Sequence, residues 1–230
     1  MSLILCPECN NEISEFAKKC PHCGCPSKMW SIGSCTNTDA MVAGQYLKLG
    51  KWGSRALEWR VLTVDDKKAL LISEVTVDFQ PFDAEEKDKH SWENSELKRW
   101  LEVSFASRAF EPEERARISE ITCLSAEEAE QFFRDDTDRR CPPSGYITLK
   151  YPLDSGRTET SEWWLRSIRQ AGNGEMFPTY VSFFGHIQSF NYFDGKYSIN
   201  GIEIDSGHSY YSGPNFTDKR AVRPAIWISI

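Results

Sequence analysis

The side chains best suited to chemistry lie near the start of the chain, where four cysteines form two C-x-x-C pairs. Cys6 and Cys9 form the first pair, and Cys20 and Cys23 form the second, ten residues further on. Each pair makes a tight turn that directs two thiolates to one point. Four thiolates complete the tetrahedral coordination of Zn²⁺ and leave no position for a substrate. The spacing therefore predicts one structural zinc ion.

Two alternatives to this ligand set stay open. The pairs could be redox dithiols or disulfides, or Cys25 could replace Cys23 in a shifted register. His22 lies between the ligands of the second pair and is interpreted as a bystander. Few large apolar residues lie between the pairs, so metal binding must supply most of the folding free energy of this segment. We predict a zinc ribbon over residues 1–28.

The length, composition and charge of the chain limit its possible domain count, partners and location. The chain has 230 residues, of which 40% are hydrophobic and 13% aromatic, enough for one substantial core with a small appendage. Its net charge of −7 does not favour nucleic acid as a partner. No stretch approaches the ~20 apolar residues of a membrane span, and a cysteine interrupts the start before a signal region develops. The sequence predicts a cytoplasmic protein without membrane insertion.

Residues 29–41 mix Pro, Gly, Ser, Thr and Asn without a sustained period and are predicted to be a linker. The main domain is expected over residues 42–230. Strand periodicity at 57–64 and 69–77, on either side of an Asp-Asp-Lys-Lys turn, predicts a hairpin.

Helical signals follow in the middle of the chain. Asn94 or Ser95 can cap a helix with an apolar stripe, Pro112 suits a first helical turn, and Ser125 with Glu128 forms a capping box. Strand periodicity then returns at 162–166, 180–183 and 221–228. The order strands, helices, strands predicts an α+β fold.

Three ordered blocks carry a resemblance to a known family. They are residues 90–101 (HSWENSELKRWL), followed by Ala109-Phe110 and Glu113-Glu114, then 163–167 (WWLRS) and 222–228 (VRPAIWI). The blocks resemble those of a family of bacterial domains of unknown function. That family is similar to the C-type-lectin-like fold of formylglycine-generating enzymes and of the variable proteins of diversity-generating retroelements. The resemblance implies a C-type-lectin-like domain over residues 42–230, preceded by a segment that resembles bacterial zinc ribbons.

The resemblance does not extend to the active site of formylglycine-generating enzymes. Formylglycine-generating enzymes depend on a reactive cysteine pair, whereas Cys123 and Cys141 here are separated by a predicted helix. His90, His186 and His208 are scattered and have no metal-ligand spacing. No catalytic residue is assigned.

The segment from Ser182 to Thr217 has the composition of a binding surface. It is rich in Tyr, Ser, Asn and Gly, which dominate binding loops because Tyr offers large contact area and the others adaptable hydrogen bonds. In retroelement variable proteins the similar region displays the diversified residues. The alternative is a set of ordinary surface hairpins. The predicted ligand-binding residues are Ser182, His186, Gln188, Asn191, Tyr192, His208, Tyr210, Tyr211 and Asn215.

Aromatic and basic residues in strands have a structural and a functional interpretation. Trp163, Trp164 and Trp227 are expected in the core, with a ligand site as the alternative. Arg166 and Arg223 are expected to pair with an acid such as Glu162 or Asp205, because a guanidinium group in a strand is costly unless paired. The alternative role for these arginines is to anchor a ligand carboxylate.

A group of aspartates at 135, 136 and 138 offers oxygen ligands for Ca²⁺. It lacks a glycine-punctuated loop, so we interpret it as a solvated helix end beside Arg139 and Arg140.

These features together predict a binding module that recognises a protein or other macromolecular ligand through its C-terminal loops, with a structural zinc ribbon as adaptor. An enzyme related in fold to formylglycine-generating enzymes, with an unrecognised active site, is the first alternative. A nucleic-acid accessory protein acting through the zinc ribbon is the second.

Overall fold

A computed structural model of the chain describes residues 3–5, 12–14, 17–22, 41–151, 159–193, 196–199, 202–205 and 208–230. Both helices and strands are present, which confirms the predicted mixture of α and β structure. The predicted linker lies outside these residues except for Met41.

The strands are β1 (Leu3–Leu5), β2 (Glu12–Ser14), β3 (Tyr46–Trp52), β4 (Arg55–Val64), β5 (Lys68–Ser73), β6 (Phe79–Pro81), β7 (Ile118–Thr122), β8 (Trp163–Gln170), β9 (Met176–Val181), β10 (Ile187–Gln188), β11 (Asn191–Phe193), β12 (Lys196–Ile199), β13 (Ile202–Asp205), β14 (Tyr210–Ser212), β15 (Lys219–Ala221) and β16 (Ala225–Ser229). The helices are α1 (Glu96–Trp100), α2 (Ala106–Ala109), α3 (Pro112–Ala116), α4 (Ala126–Phe132), α5 (Asp136–Arg139) and α6 (Gly145–Lys150). A 3₁₀ turn at Trp92–Asn94 precedes α1, and a π-helical segment at Leu101–Phe105 follows it.

The chain divides into two compact units. The first contains Met1–Glu74, Ala106–Ile121 and Ala225–Ile230, and the second contains Val75–Phe105 and Thr122–Pro224. All nine residues predicted to bind a ligand belong to the second unit.

The first unit contains a five-stranded sheet in the order β3-β4-β5-β16-β7. Strand β5 is central, and its residues from Ala69 to Ser73 are all buried, as expected for a strand covered on both faces. Strands β4 and β5 are antiparallel neighbours, which confirms the predicted hairpin. The turn between them is fixed by the Asp65 carboxylate, which accepts the N–H groups of Lys67 at 3.0 Å and Lys68 at 2.9 Å.

The sequence predicted one continuous strand over residues 221–228, and this prediction is wrong. Strand β15 ends at Ala221 and β16 begins at Ala225, and the two strands belong to different sheets. Pro224 has no N–H to donate to a neighbouring strand, so the ladder cannot run through it. The Val222 N–H instead donates to the Asp78 carbonyl oxygen at 2.8 Å.

The expected burial of the three tryptophans holds for two of them. Trp163 and Trp164 have no exposed surface, which confirms the core interpretation. Trp227 is only half-buried, so that expectation is corrected. The Lys68 ammonium lies 4.3 Å from the centre of the Trp227 ring, so a cation covers part of this indole where apolar side chains were expected.

The second unit contains a five-stranded sheet in the order β10-β9-β8-β15-β6. Strand β15 runs parallel to β8, with Ala221 opposite Trp163, and the other neighbours are antiparallel. The central strand β8 starts with three fully buried residues, so its first half forms the middle of the core.

The predicted helix starts in this unit are confirmed. Ser95 caps α1 by accepting the Lys98 N–H at 3.1 Å. At α4 the Ser125 hydroxyl accepts the Glu128 N–H at 3.1 Å, and the Glu128 carboxylate accepts the Ser125 N–H at 2.8 Å. None of the helices in the described segments has the length and apolar character needed to cross a bilayer.

Candidate functional site

The structure places the nine predicted ligand-binding residues in several distinct environments. Ser182 and His186 lie in the turn between β9 and β10, while Gln188 lies on β10. Asn191, Tyr192, Tyr210 and Tyr211 lie on β11 and β14. His208 is exposed just before β14, and the exposed Asn215 lines a separate cavity.

The turn between β9 and β10 is held by the body of the second unit. Side chains of Thr160, Arg140 and Arg139 donate to the three successive carbonyl oxygens of Phe183, Phe184 and Gly185, at 3.0, 3.3 and 2.8 Å.

Within the turn, the Ser182 hydroxyl is buried and accepts the His186 N–H at 3.2 Å. Ser182 therefore shapes the turn rather than facing a ligand. His186 stays accessible, with its Nε2 atom 3.2 Å from an Asp136 carboxylate oxygen.

Strands β11 and β14 pair with each other and form a two-stranded antiparallel element, here called the aromatic ribbon. Tyr192 lies opposite Tyr211, and Phe193 lies opposite Tyr210. Because successive side chains of a strand point to opposite faces, the two aromatic pairs occupy opposite faces of the ribbon.

One face of the aromatic ribbon is anchored. The half-buried Tyr211 ring contacts Phe190 edge-on, with ring centres 5.4 Å apart, and Phe190 in turn lies 5.3 Å from Phe177 of β9. We call this the inner face. Tyr192 lies beside Tyr211 at 5.1 Å but is 57% exposed.

The outer face carries the second aromatic pair. The rings of Phe193 and Tyr210 are stacked with centres 5.0 Å apart, yet the two residues are 44% and 56% exposed. Phe193 is not among the ligand-binding residues predicted from the sequence. The signal available for it was strand alternation, since it directly follows Tyr192 and must face the other way.

A polar cavity of about 520 Å³, here called the ribbon pocket, lies at the base of the aromatic ribbon. Two predicted residues, Gln188 and Asn191, line it. The remaining lining residues come from β8, β9, β10, β14, β15 and the segments next to the ribbon, and are Arg169, Tyr180, Ile187, Ser189, Phe190, Ser212, Gly213, Pro214, Asp218 and Arg220.

A row of side chains crosses the sheet beside the ribbon pocket, and its members Gln188, Tyr180 and Arg220 form part of the wall. Gln188 lies opposite Tyr180, and Tyr180 lies opposite Trp164. The Tyr180 hydroxyl donates to the Gln188 amide oxygen at 2.8 Å. Burial raises the pKa of Tyr180, and the charge of Glu162 acts in the same direction, so this phenol remains a donor.

Arg220 completes this row. Its guanidinium carbon lies 4.1 Å from the centre of the Tyr180 ring and 4.8 Å from that of Trp164. The same group lies 3.4 Å from a Glu162 carboxylate oxygen and 3.5 Å from one of Asp218. Arg220 is therefore a fixed cation whose position depends on strand register, which no local sequence signal reveals.

The two arginines that were expected to form structural ion pairs have different surroundings, and Arg223 lies between β15 and β16 instead of in a strand as predicted. Arg166 forms the expected ion pair with an acid, but its partner is Glu128 and not Glu162. Arg223 is 2% exposed, and its guanidinium carbon lies 5.1 Å from the ring centres of both Phe133 and Trp163. Neither side chain lines the ribbon pocket, so neither anchors a ligand carboxylate there.

The aspartates at 135, 136 and 138 form a helix end, as interpreted from the sequence. The Asp135 carboxylate caps α5 by accepting the Asp138 N–H at 2.8 Å. Asp136 pairs with Arg139, and an Asp138 carboxylate oxygen lies 3.6 Å from the Arg134 guanidinium. These three carboxylates are therefore engaged in contacts within the protein.

Two cysteines of the second unit, Cys123 and Cys141, are sequestered. Cys123 and Cys141 have no exposed surface. Burial raises the pKa of Cys123 to about 12, so its thiol stays protonated and unreactive.

The predicted zinc ligands fall mostly outside the described residues: Cys6, Cys9 and Cys23 do so, as does the alternative Cys25. Cys20 is 1% exposed, and its sulfur accepts the His22 N–H at 3.4 Å. Among the residues that the structure describes, no three His, Cys, Asp or Glu side chains are grouped to hold a metal ion.

Comparisons with known proteins give one match. No curated protein and no solved structure matched the chain. Residues 66–141 match a family described as a domain of unknown function, DUF6273. This region runs from the β4–β5 turn through α1 to α5, and the predicted resemblance to an uncharacterised domain is supported there.

Proposed function

We propose that the chain is a binding module that recognises a protein ligand through the aromatic ribbon and the ribbon pocket. The observation that carries the proposal is the exposed stacked pair of Phe193 and Tyr210 on a ribbon whose other face is anchored. Exposed aromatic side chains at the centre of an interface contribute most of its binding energy. An anchored ribbon holds them in one geometry, which lowers the entropic cost of binding.

The surroundings of the pair match the composition of protein interfaces, in which an aromatic centre is bordered by polar groups. Tyr192 adds a third exposed aromatic ring. Gln188 and Asn191, together with Arg169, supply amide and guanidinium donors at the edge of the ribbon pocket. A protein ligand can thus bury the rings and bond to the rim.

The proposal includes a structural zinc ribbon that acts as an adaptor. Its basis is the spacing of Cys6, Cys9, Cys20 and Cys23, whose four sulfurs fit a closed zinc site. The backbone turn at Cys20, in which the N–H two residues on donates to the buried sulfur, supports it. When bound, zinc supplies folding free energy and no chemistry.

A C-type-lectin-like fold for residues 42–230 is also part of the proposal. It rests on the three resembling sequence blocks. These blocks supply fully buried side chains, among them Leu97, Trp164 and Ile226, as blocks that specify a fold are expected to do.

The experiment is a selection of random linear peptides displayed on phage against the immobilised full-length chain. Enriched peptides are synthesised, and their Kd is measured by fluorescence anisotropy against the wild type and a Phe193→Ala/Tyr210→Ala variant. We expect the double substitution to weaken binding by about 2 kcal/mol or more per ring.

The matched control is Leu149→Ala, which removes another exposed apolar side chain, 86% exposed, outside the aromatic ribbon. It should leave the Kd unchanged. Failure to enrich any peptide, or equal affinities of the double variant and the wild type, would refute the proposed role of the ribbon.

A further inference from the structure

A second cavity, of about 870 Å³, lies apart from the exposed rings of the aromatic ribbon. Its size is within the roughly 300–1,000 Å³ of small-molecule sites. It is lined by residues 86–91, Asn94, 174–177 and 214–216. The walls thus combine aromatic rings, such as Phe177 and Phe216, with carboxylate and ammonium groups.

A buried carboxylate lies behind one wall of this cavity. Asp83 has a side chain that is 1% exposed, and its oxygens meet three donors. One oxygen lies 2.6 Å from Nδ1 of His90, and the other lies 2.5 Å from the Lys87 ammonium and accepts the Glu96 N–H at 3.0 Å. The carboxylate is thereby fixed in position.

The imidazole of His90 is fixed as well. Its side chain is 7% exposed, and its ring is parallel to that of Phe216 within 2°, with centres 3.4 Å apart. Because Nδ1 faces Asp83, the other nitrogen, Nε2, faces the residues that line the cavity. There it lies 3.4 Å from the Lys87 backbone nitrogen and 3.3 Å from a Glu86 carboxylate oxygen.

These contacts assign a role to each ring nitrogen of His90. Nδ1–H donates to Asp83, so Nε2 carries the lone pair and accepts the long bond from the Lys87 N–H. When Nε2 takes up a proton, it can donate to Glu86 instead. An oriented imidazole with a buried carboxylate behind it is the arrangement of a general base.

We propose that this cavity is a hydrolytic site for small esters, with Nε2 of His90 as the general base. Nε2 removes a proton from a water molecule whose oxygen attacks the ester carbonyl carbon. The new C–O bond forms, the C–O bond to the alcohol breaks, and the imidazolium returns the proton to the leaving oxygen. Ester and water become acid and alcohol.

The remaining groups have positioning or electrostatic roles. Asp83 and Phe216 orient the imidazole, and the Glu86 carboxylate stabilises the imidazolium. The Lys87 side chain is 31% exposed on the same wall and can stabilise the negative charge that develops on the carbonyl oxygen. Asp88, Lys89 and Glu175 line the mouth, while Met176 and Phe177 offer apolar contact to the substrate.

If His90 had only a structural role, its Nε2 atom would be shielded and would react slowly with an electrophile, whereas a general base must be reactive. The first experiment treats the full chain with diethyl pyrocarbonate, which ethoxycarbonylates unprotonated imidazole nitrogen and releases ethanol and CO₂. Mass spectrometry of peptides gives the rate at each histidine. As a general base, His90 should react at least as fast as the exposed His22 and His208, despite its burial. If His90 is the slowest, its Nε2 is shielded and the proposal is overturned.

The second experiment measures hydrolysis of p-nitrophenyl acetate by the release of p-nitrophenolate. His90→Phe keeps a flat ring against Phe216 but removes the base, and should lower the rate above background by on the order of 10²-fold. His90→Gln is the second variant if that substitution does not fold, as judged by thermal melting. His22→Gln should leave the rate unchanged. Equal rates for the wild type and a folded His90 variant would overturn the proposal.

Asp83 is tested as a positioning residue with Asp83→Asn. We expect kcat for p-nitrophenyl acetate to fall while KM stays within about two-fold, because the substrate site remains and only the imidazole loses its orientation. Should kcat be unchanged in the folded variant, Asp83 only ties the loop together and the assignment fails.

Discussion

Arg166 and Glu128 face each other through two short hydrogen bonds, with Nη1 2.7 Å from one carboxylate oxygen and Nη2 2.7 Å from the other. Nη1 also donates to the Cys123 carbonyl oxygen at 2.7 Å. The same carboxylate accepts the Ser125 N–H at the start of α4. One ion pair thus fixes the first turn of α4 to strand β8.

The geometry of this pair predicts that lysine cannot replace Arg166. A lysine keeps the charge but loses the planar two-donor fork. The side chains of Arg166 and Glu128 are 28% and 22% exposed, so solvent screens part of their attraction. We expect Arg166→Lys to lower the free energy of unfolding by about 1–2 kcal/mol, measured by urea denaturation. A Glu128→Gln background should remove most of this difference, and an unaltered midpoint for Arg166→Lys would show that charge alone suffices.

The two faces of the aromatic ribbon predict different stabilities for neighbouring tyrosine variants. Tyr210→Ala removes an outer-face ring and should change the free energy of unfolding by no more than about 0.5 kcal/mol. Tyr211→Ala removes the inner-face ring that contacts Phe190 and should cost about 2 kcal/mol. Tyr211, which was predicted from the sequence to bind a ligand, therefore has a packing role on the inner face.

Thermal melting of the two single variants measures this difference in stability. Trp164→Ala serves as the fully buried reference and should lower the free energy of unfolding by roughly 3–5 kcal/mol. Equal losses for Tyr210→Ala and Tyr211→Ala would show that the ribbon has no anchored face.

Two glycines with the same backbone conformation predict different tolerance to alanine. Gly185 and Gly174 both have φ near +90°. A Cβ at Gly185 would overlap the Asp136 carbonyl oxygen, whereas at Gly174 its nearest neighbour is the Gln170 side-chain nitrogen at 3.9 Å. Gly174→Ala should cost about 1–2 kcal/mol from backbone strain alone.

Gly185→Ala should cost more than this because the turn must also move away from α5. Chemical denaturation of both variants gives the difference. If the two variants lost similar free energies of unfolding, the contact between the turn and α5 would be able to relax without cost.

The buried thiol of Cys123 predicts resistance to alkylation. Burial raises its pKa to about 12, so almost no thiolate exists at pH 8 in the folded chain. Iodoacetamide followed by mass spectrometry should leave Cys123 unmodified under native conditions and label it fully in urea. Native labelling at the rate of a free thiol would contradict the described burial.

The cysteine spacing predicts one bound zinc per chain. Protein purified without chelator should contain about one equivalent by metal analysis, and Cys20→Ser should lose it because three thiolates do not close the tetrahedral site. Cys25→Ser is the matched control and should retain zinc. Loss of zinc from Cys25→Ser as well would identify the shifted ligand set, in which Cys20 is still a ligand, and zinc retained in Cys20→Ser would contradict the predicted site.

The sequence by itself determined the local parts of this fold. The hairpin turn at Asp65, the caps at Ser95 and Ser125, and the burial of Trp163 and Trp164 follow from contacts within a few residues or from a continuous apolar run. Such signals need no knowledge of the rest of the chain. The Tyr- and Asn-rich composition likewise singled out the segment that contains the aromatic ribbon.

Only the tertiary structure decided which distant groups meet. The Arg166 partner, the fixed turn at Gly185 and the placement of Arg220 against Tyr180 depend on strand order and register. The meeting of His90 with Phe216 depends on where two remote segments cross. Sequence periodicity specifies which face of an element is apolar but not which neighbour covers it, because that choice is made by the packing of the whole unit.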